Sequence, residues 1–172
     1  IGVAFSRLDE IMANILVTVG TQVGFDRLVK EVDDIASTHP EWHFFAQIGT
    51  GKYFPKHMNY AHSLTPSALM HKTTSADVVI ANAGMGSILS TLSIGKRLIV
   101  LPRLSALGEH RNDHQLATAH HLRKTPGLYI ADSQGDILNL LLECISLGGT
   151  DSIADTAQPE LIDNIRCWMN GE

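Results

Sequence analysis

Only two cysteines occur in the 172 residues, Cys144 and Cys167, and they form neither a C-x-x-C pair nor a dense framework. This spacing excludes a disulfide-stapled scaffold and fits a reducing compartment, where both serve as small apolar residues. No apolar run approaches the ~20 residues that span a bilayer. The longest, around residues 137–142, is interrupted by Asn139 and belongs to an amphipathic helix. The opening IGVAFSRLDEI lacks the charged-then-apolar layout of a signal peptide. No extended Lys/Arg cluster is interleaved with aromatics, and the net charge is −5, which argues against nucleic acid as a partner. Internal repeats and low-complexity stretches are absent as well.

What is present is the composition of a globular domain, 44% hydrophobic and 18% charged, in a chain long enough for one sizeable core. Residues 1–13 are expected to be an N-terminal extension, with Met12, directly before the first apolar run, a candidate native start. Residues 14–150 are expected to form the domain, and residues 151–172, after a Gly-Gly-Thr-Asp-Ser stretch at 148–152, a linker and an amphipathic helix over 159–169.

Within the domain, apolar runs alternate with helical periodicity. Strands are expected at 15–19, 43–48, 77–81, 98–101 and 128–131, with a weaker one at 57–62. Helices are expected at 25–37 (with Asp33 and Asp34 outward), 66–75, 86–94, 112–124 and 134–147. Thr65 and Pro66 supply the cap and first position of the second helix. Unbroken apolar strands joined by helices specify an α/β fold, a doubly wound, Rossmann-like parallel sheet covered on both faces. Ligands of such sheets bind at the carboxyl ends of the strands, near the switch point. Three loops lie there: 20–24, 82–87 and 102–115.

The most informative of these is Asn82-Ala83-Gly84-Met85-Gly86-Ser87, which joins a buried strand to a helix. The first N–H groups of that helix lack intrahelical partners, its dipole is positive, and glycine admits close approach of a phosphate. Ser87 is placed to add a hydroxyl. A G-x-G turn also has a plain reading as a tight bend in an α/β sheet, and the turn alone leaves both open. The loop Gly20-Thr21-Gln22-Val23-Gly24 suits a phosphate or sugar contact. It is not G-x-G-x-x-G, and Gly49-Thr50-Gly51-Lys52 is not a P-loop, so dehydrogenase and NTPase readings are weak.

The third loop, PRLSALGEHRNDHQ, is rich in polar groups and runs to ~14 residues, near the upper limit for unstructured connections. Arg103 and Arg111 suit phosphates; Asn112, His114 and Gln115 suit sugar hydroxyls; a solvated surface loop is the alternative. His110 and His114 are four apart, but no Cys or third carboxylate completes a metal set, and no metal or other cofactor is expected. No Ser-His-Asp set occurs. In the last helix Leu161, Ile162, Ile165, Trp168 and Met169 share a stripe, which serves either its own core or a partner surface.

Together, ILVTVGTQ-x-x-FDRLV, ADVVIANAGMGSIL, GKRLIVLPR and GEHRNDHQLA resemble the C-terminal, donor-binding half of glycosyltransferase family 28, a GT-B family. The similarity runs from about Asn14 to Leu122. It is nearest in kind to the small single-domain members, the catalytic subunit adding the second GlcNAc to dolichol-linked GlcNAc and bacterial exopolysaccharide transferase subunits. The resemblance implies hexosyl transfer from a UDP-sugar to a polyprenyl-diphosphate-linked glycan. Donor binding would fall to Gly20, Thr21, Gln22, Asn82, Gly84, Met85, Gly86, Ser87, Arg103, Asn112, His114 and Gln115. His110 and Glu109 are the local candidates for a catalytic base.

Two positions depart from the resembled pattern: Asn82 stands where His is usual, and Ser90 where larger relatives carry a ribose-binding Glu. A GT-B site lies between two halves, and this chain has the pattern of one. The resemblance therefore implies a membrane-anchored partner subunit, docked through Leu161, Ile165 and Trp168, and a peripheral cytoplasmic location. A non-catalytic sugar-nucleotide-binding subunit is the second reading.

Overall fold

The computed structural model describes residues 11–20, 23–148, 163 and 167. Six strands form one parallel sheet: β1 (Asn14–Thr18), β2 (His43–Gln47), β3 (Asn59–Ala61), β4 (Val78–Asn82), β5 (Arg97–Leu101) and β6 (Leu128–Ile130). Their spatial order is β3-β2-β1-β4-β5-β6. The chain builds outward from β1 to β3, then crosses to the other side of β1 and builds outward again. Four α-helices make crossovers, α1 (Asp26–Thr38), α2 (Pro66–Ser75), α3 (Met85–Leu92) and α4 (His114–Leu122), and a fifth, α5 (Ile137–Ser146), follows β6.

The alternation of side chains along each strand divides the core into two layers. Ile15, Val17, Phe44, Ala46, Val78, Ile80, Ile99 and Leu101 face one side, against Leu28, Val29, Val32 and Ile35 of α1 and Leu141 and Cys144 of α5. Leu16, Val79, Ala81, Leu98 and Val100 face the other, against Ile88 and Leu92 of α3 and Ala119 and Leu122 of α4. Every residue of β4 and β5 is buried, which is why these strands read as apolar runs without alternation. The two registers that set the site are Val17 beside Ile80 in the β1–β4 pair and Ile80 beside Ile99 in the β4–β5 pair.

The doubly wound parallel sheet is as expected, and the differences are local. Asp33 is not outward but fully buried: its carboxylate accepts from the Tyr53 hydroxyl at 2.8 Å and from the amides of Lys56 and His57 at 2.9 and 2.8 Å. Those bonds tie the 53–57 segment to α1, and burial beside Asp33 pushes the Tyr53 hydroxyl up to about 12. Residues 134–136 form a 3-10 turn before α5, because the Ser133 hydroxyl and the Asp136 carboxylate close a capping box there. α4 begins at His114 rather than 112, and a 3-10 turn at Ser105–Leu107 structures the preceding loop. Leu116 is largely exposed. Cys144 is a buried thiol, pushed up to about 12 by desolvation, whereas Cys167 is exposed. Asp163 and Cys167 are helical. Residues 1–10 of the extension, residues 149–162 and the remainder of the 159–169 segment, with Leu161, Ile165 and Trp168, lie outside the described residues.

Candidate functional site

The strand order reverses between β1 and β4, and a crevice forms beyond their carboxyl ends. A cavity of about 650 Å³ occupies it, lined by the ends of β1, β2 and β4, the start of α3, one face of α2 and parts of the 102–115 loop. That volume falls within the ~300–1,000 Å³ typical of small-molecule sites.

The first wall is the N-terminus of α3. Gly84 takes the N-cap position with extended backbone and no side-chain cap, and the first helical bond runs from the Ile88 amide to the Gly84 carbonyl at 3.1 Å. The amides of Met85, Gly86 and Ser87 precede that bond and have no intrahelical acceptor. Gly84, Gly86, Ser87 and Ser90 line the cavity. The glycines matter for different reasons. A Cβ on Gly84 would lie 2.8 Å from Asn82 Nδ2, so the turn closes only without one. A Cβ on Gly86 meets nothing within 4 Å and would project into open space. Met85 contributes backbone alone, since its side chain packs against the second core layer.

The second wall is Gly20, held at the end of β1 by a small network. The Thr18 hydroxyl donates to Gln47 Oε1 at 2.7 Å, and Gln47 Nε2 donates to the Gly20 carbonyl at 3.3 Å. Gly20 has φ of +81°, a left-handed conformation that favours glycine. Thr21 and Gln22 lie outside the described residues. Between the two walls stands Asn82, 8% exposed, with its Oδ1 buried and without a hydrogen-bond partner.

The 102–115 loop differs from its expected role. Arg103 is 3% exposed, and its guanidinium is spent on backbone carbonyls: Nη2 donates to Val19 and Val23 and Nη1 to Gly24, each at 2.7 Å. It also stacks over the Phe25 ring, 4.6 Å from the centroid. Burial pulls the guanidinium below the ordinary arginine value, and the nearby Glu109 opposes that shift. Arg103 therefore holds the first loop in place while also lining the cavity. Glu109 is engaged likewise. Its carboxylate accepts from Arg27 Nε and Nη2 at 2.7 and 2.8 Å and from the Leu104 amide at 2.9 Å, and it does not line the cavity. A carboxylate so engaged is a strut, not a free base.

His110 does line the cavity, with Nδ1 3.2 Å from both the carbonyl and the Oδ1 of Asn112. Gln115 lines it too, its Oε1 accepting from the Arg103 amide at 3.1 Å. Asn112 and His114 are exposed and outside the cavity lining; Asn112 Oδ1 instead accepts from the His114 amide at 3.3 Å, closing the turn into α4. Asp113 accepts from the Ser105 amide at 2.9 Å, which holds its carboxyl below the usual range. Among the described residues no three His, Cys, Asp or Glu side chains gather in a metal-binding group.

The sequence reading did not find the third wall. Pro66, Leu69, Met70 and Thr73 present one face of α2 to the cavity. The helix follows an edge strand of three residues, and its weak amphipathic pattern gave no sign of a ligand-facing side. Thr18 and Gln47 were equally hidden, because they are the polar ends of otherwise apolar strands.

Comparison with known proteins agrees with this geometry. Residues 14–145 match the model of the glycosyltransferase family 28 C-terminal domain. A UDP-N-acetylglucosamine transferase subunit, ALG13 of Mus musculus, is 33% identical over 129 residues, 69% of this chain and 10% of that protein. The chain thus spans about a tenth of the curated relative it matches. Among solved structures, MurG of Acinetobacter baumannii superposes with a TM-score of 0.58 at 20% identity, over 94% of this chain and 52% of that one. The C-terminal CMP-Kdo binding domain of WaaA from the same organism gives a TM-score of 0.57 at 10% identity, over 90% and 91% of the two chains. The calicheamicin glycosyltransferase CalG4 gives 0.62 at 12% identity, over 88% and 38%. At these identities the structures speak for the fold alone, which is that of a GT-B C-terminal domain. The family match covers most of the chain and includes every wall of the cavity: the chain belongs to glycosyltransferase family 28, as a C-terminal domain of that family.

Proposed function

We propose that this chain is the donor-binding and catalytic subunit of a two-component glycosyltransferase that moves a hexosyl group from a UDP-sugar to a polyprenyl-diphosphate-linked glycan. One observation carries the reading. The uncapped N-terminus of α3 opens, between Gly84 and Ser87, onto the cavity at the switch point. Three amides without intrahelical acceptors, a helix dipole and a serine hydroxyl form a cradle for a diphosphate. As the glycosidic bond breaks, negative charge grows on the departing diphosphate, and the same amides stabilise it most when it is greatest. The reading calls for no resident metal.

Glu109 is the less available of the two candidates, because its carboxylate is held in an ion pair with Arg27. His110 remains the local candidate for taking the acceptor proton, through Nε2, because Nδ1 faces Asn112. The acceptor half of a GT-B site is assigned to a membrane-anchored partner, which would bring the lipid-linked glycan and exclude water from the transferred sugar. In this reading the chain works at the cytoplasmic face of the membrane, in exopolysaccharide synthesis. The non-catalytic alternative rests on Asn82 and Ser90, which replace the His and Glu of the resembled pattern.

Calorimetric titration of the chain with UDP, UDP-glucose, UDP-GlcNAc and UDP-glucuronate, with and without chelator, tests the reading. Binding of UDP and at least one UDP-sugar, unaffected by chelator, is the expected result. Transfer to a lipid-linked acceptor in partner-containing membranes would then separate the catalytic from the non-catalytic reading. Failure of every uridine nucleotide to bind would remove both.

A further inference from the structure

Asn82 is the one side chain of the cavity whose chemistry the diphosphate cradle leaves unexplained. It ends β4 inside the crevice, its residue 92% buried by difference from an exposure of 8%. The carboxamide is oriented by the two glycines around it. A Cβ built on Gly84 would lie 2.8 Å from Nδ2, and one built on Gly20 would lie 3.4 Å from Oδ1. The donor end thus faces the α3 turn, and the acceptor end faces the loop after β1. Neighbouring polar side chains are satisfied within the protein. Gln47 accepts from Thr18 and donates to Gly20, Gln115 accepts from Arg103, and Arg103 is spent on carbonyls. Asn82 Oδ1 has no such partner. A buried acceptor without a donor is costly, and where one persists in a binding crevice a ligand group is its natural complement.

An acceptor selects its partner. Phosphate oxygens at neutral pH carry lone pairs and negative charge, so they repel Oδ1 and can meet only Nδ2. The donors of a sugar nucleotide are N–H and O–H groups, and with Nδ2 on the diphosphate the hydroxyls of the sugar joined to it are the nearest set to Oδ1. We propose that Asn82 is a specificity-determining residue that spans the two parts of the donor: Nδ2 donates toward the diphosphate, and Oδ1 accepts from a hydroxyl of the transferred sugar. The assignment rests on the donor-binding reading above and deepens it. Because a carboxamide does not titrate, the contact persists across the pH range in which an imidazole at this position would change charge.

The test is titration of the full chain and its Asn82→Leu and Asn82→Ala variants with UDP and with the UDP-sugar that the unaltered chain binds best. Leucine approximates the shape of asparagine without an unsatisfied acceptor, so the melting temperature of Asn82→Leu should hold or rise. Its affinity for the UDP-sugar should fall roughly tenfold more than its affinity for UDP. A UDP-sugar epimeric or deoxygenated at the recognised hydroxyl should bind the unaltered chain weakly and lose in either variant only as much affinity as UDP itself does. Equal losses for UDP and UDP-sugar, or a lowered melting temperature with unchanged binding, would overturn the hydroxyl assignment while leaving the donor site standing. Absence of UDP binding by the unaltered chain would overturn both.

Discussion

The two loops that follow β4 and β5 lie side by side at the same end of the sheet, and they use polarity in opposite ways. The 102–113 loop is crowded with charge, yet three of its charged groups are engaged internally: Arg103 on three carbonyls at 2.7 Å, Glu109 on Arg27 and Leu104, Asp113 on Ser105. The 82–87 turn carries no charge, yet it presents helix amides without intrahelical acceptors, a serine hydroxyl and an orphaned carboxamide to the cavity. What can bind a ligand is set by what the fold leaves unsatisfied, not by how polar the segment is.

Removing the guanidinium at the centre of the charged loop should have the largest effect. Arg103→Ala leaves the buried carbonyl of Val19 and the partly buried bonds to Val23 and Gly24 without their donor and should cost on the order of 3–5 kcal/mol, read as a lower urea midpoint. Arg103→Lys should recover little, since an ammonium cannot reproduce the planar fork. If Arg103→Ala keeps its stability and loses only UDP binding, the contrast between the loops is wrong.

Next comes Gly86→Asp in the neutral turn. Its side chain enters open space, and a carboxylate in the first turn suits the helix dipole, so stability should hold. UDP binding should fall by roughly a hundredfold, about 2.7 kcal/mol, as the carboxylate takes the diphosphate's place. Retained binding in calorimetry would move the diphosphate elsewhere.

Glu109→Gln is the sharper test of the charged loop, at about 1–2 kcal/mol of stability. Nucleotide affinity and transfer with the partner should stay within about twofold. A loss of turnover at unchanged stability would restore Glu109 as a base.

The smallest effect is electrostatic. Asp113 has a folded-state value held below the ordinary 3.8 by the Ser105 hydrogen bonds. Its contribution is therefore complete above the unfolded value and is lost as pH falls through the folded one. Asp113→Asn should flatten the acid limb of the stability curve below about pH 4 and leave neutral pH nearly unchanged. An identical acid limb in the variant would mean that the contact does not form in solution.

Much of the architecture was legible because β1, β4 and β5 are buried on both faces and so written as unbroken apolar runs. Thr65-Pro66 announced α2 by a local cap, which the structure bears out with a bond from the Ala68 amide to the Thr65 hydroxyl at 3.2 Å. Tertiary choices were not legible. Asp33 carries the same charge as Asp34 one residue on, and only the approach of the 53–57 segment buries one and exposes the other. The same holds for Arg103, whose acceptors lie about eighty positions away in the chain, at separations of 79, 84 and 80. The glycine turn was readable because its chemistry is local to six residues. The α2 wall was not, because only the crossover brings it there.

The sheet also tapers. Its inner four strands have five residues each, while the outer two, β3 and β6, have three. An edge this short offers an incoming strand too few unpaired amides to nucleate continuation of the ladder. Templated stacking of copies through their rims is thereby disfavoured, and molecular sociability is moved away from the sheet's sides toward its loops and helices.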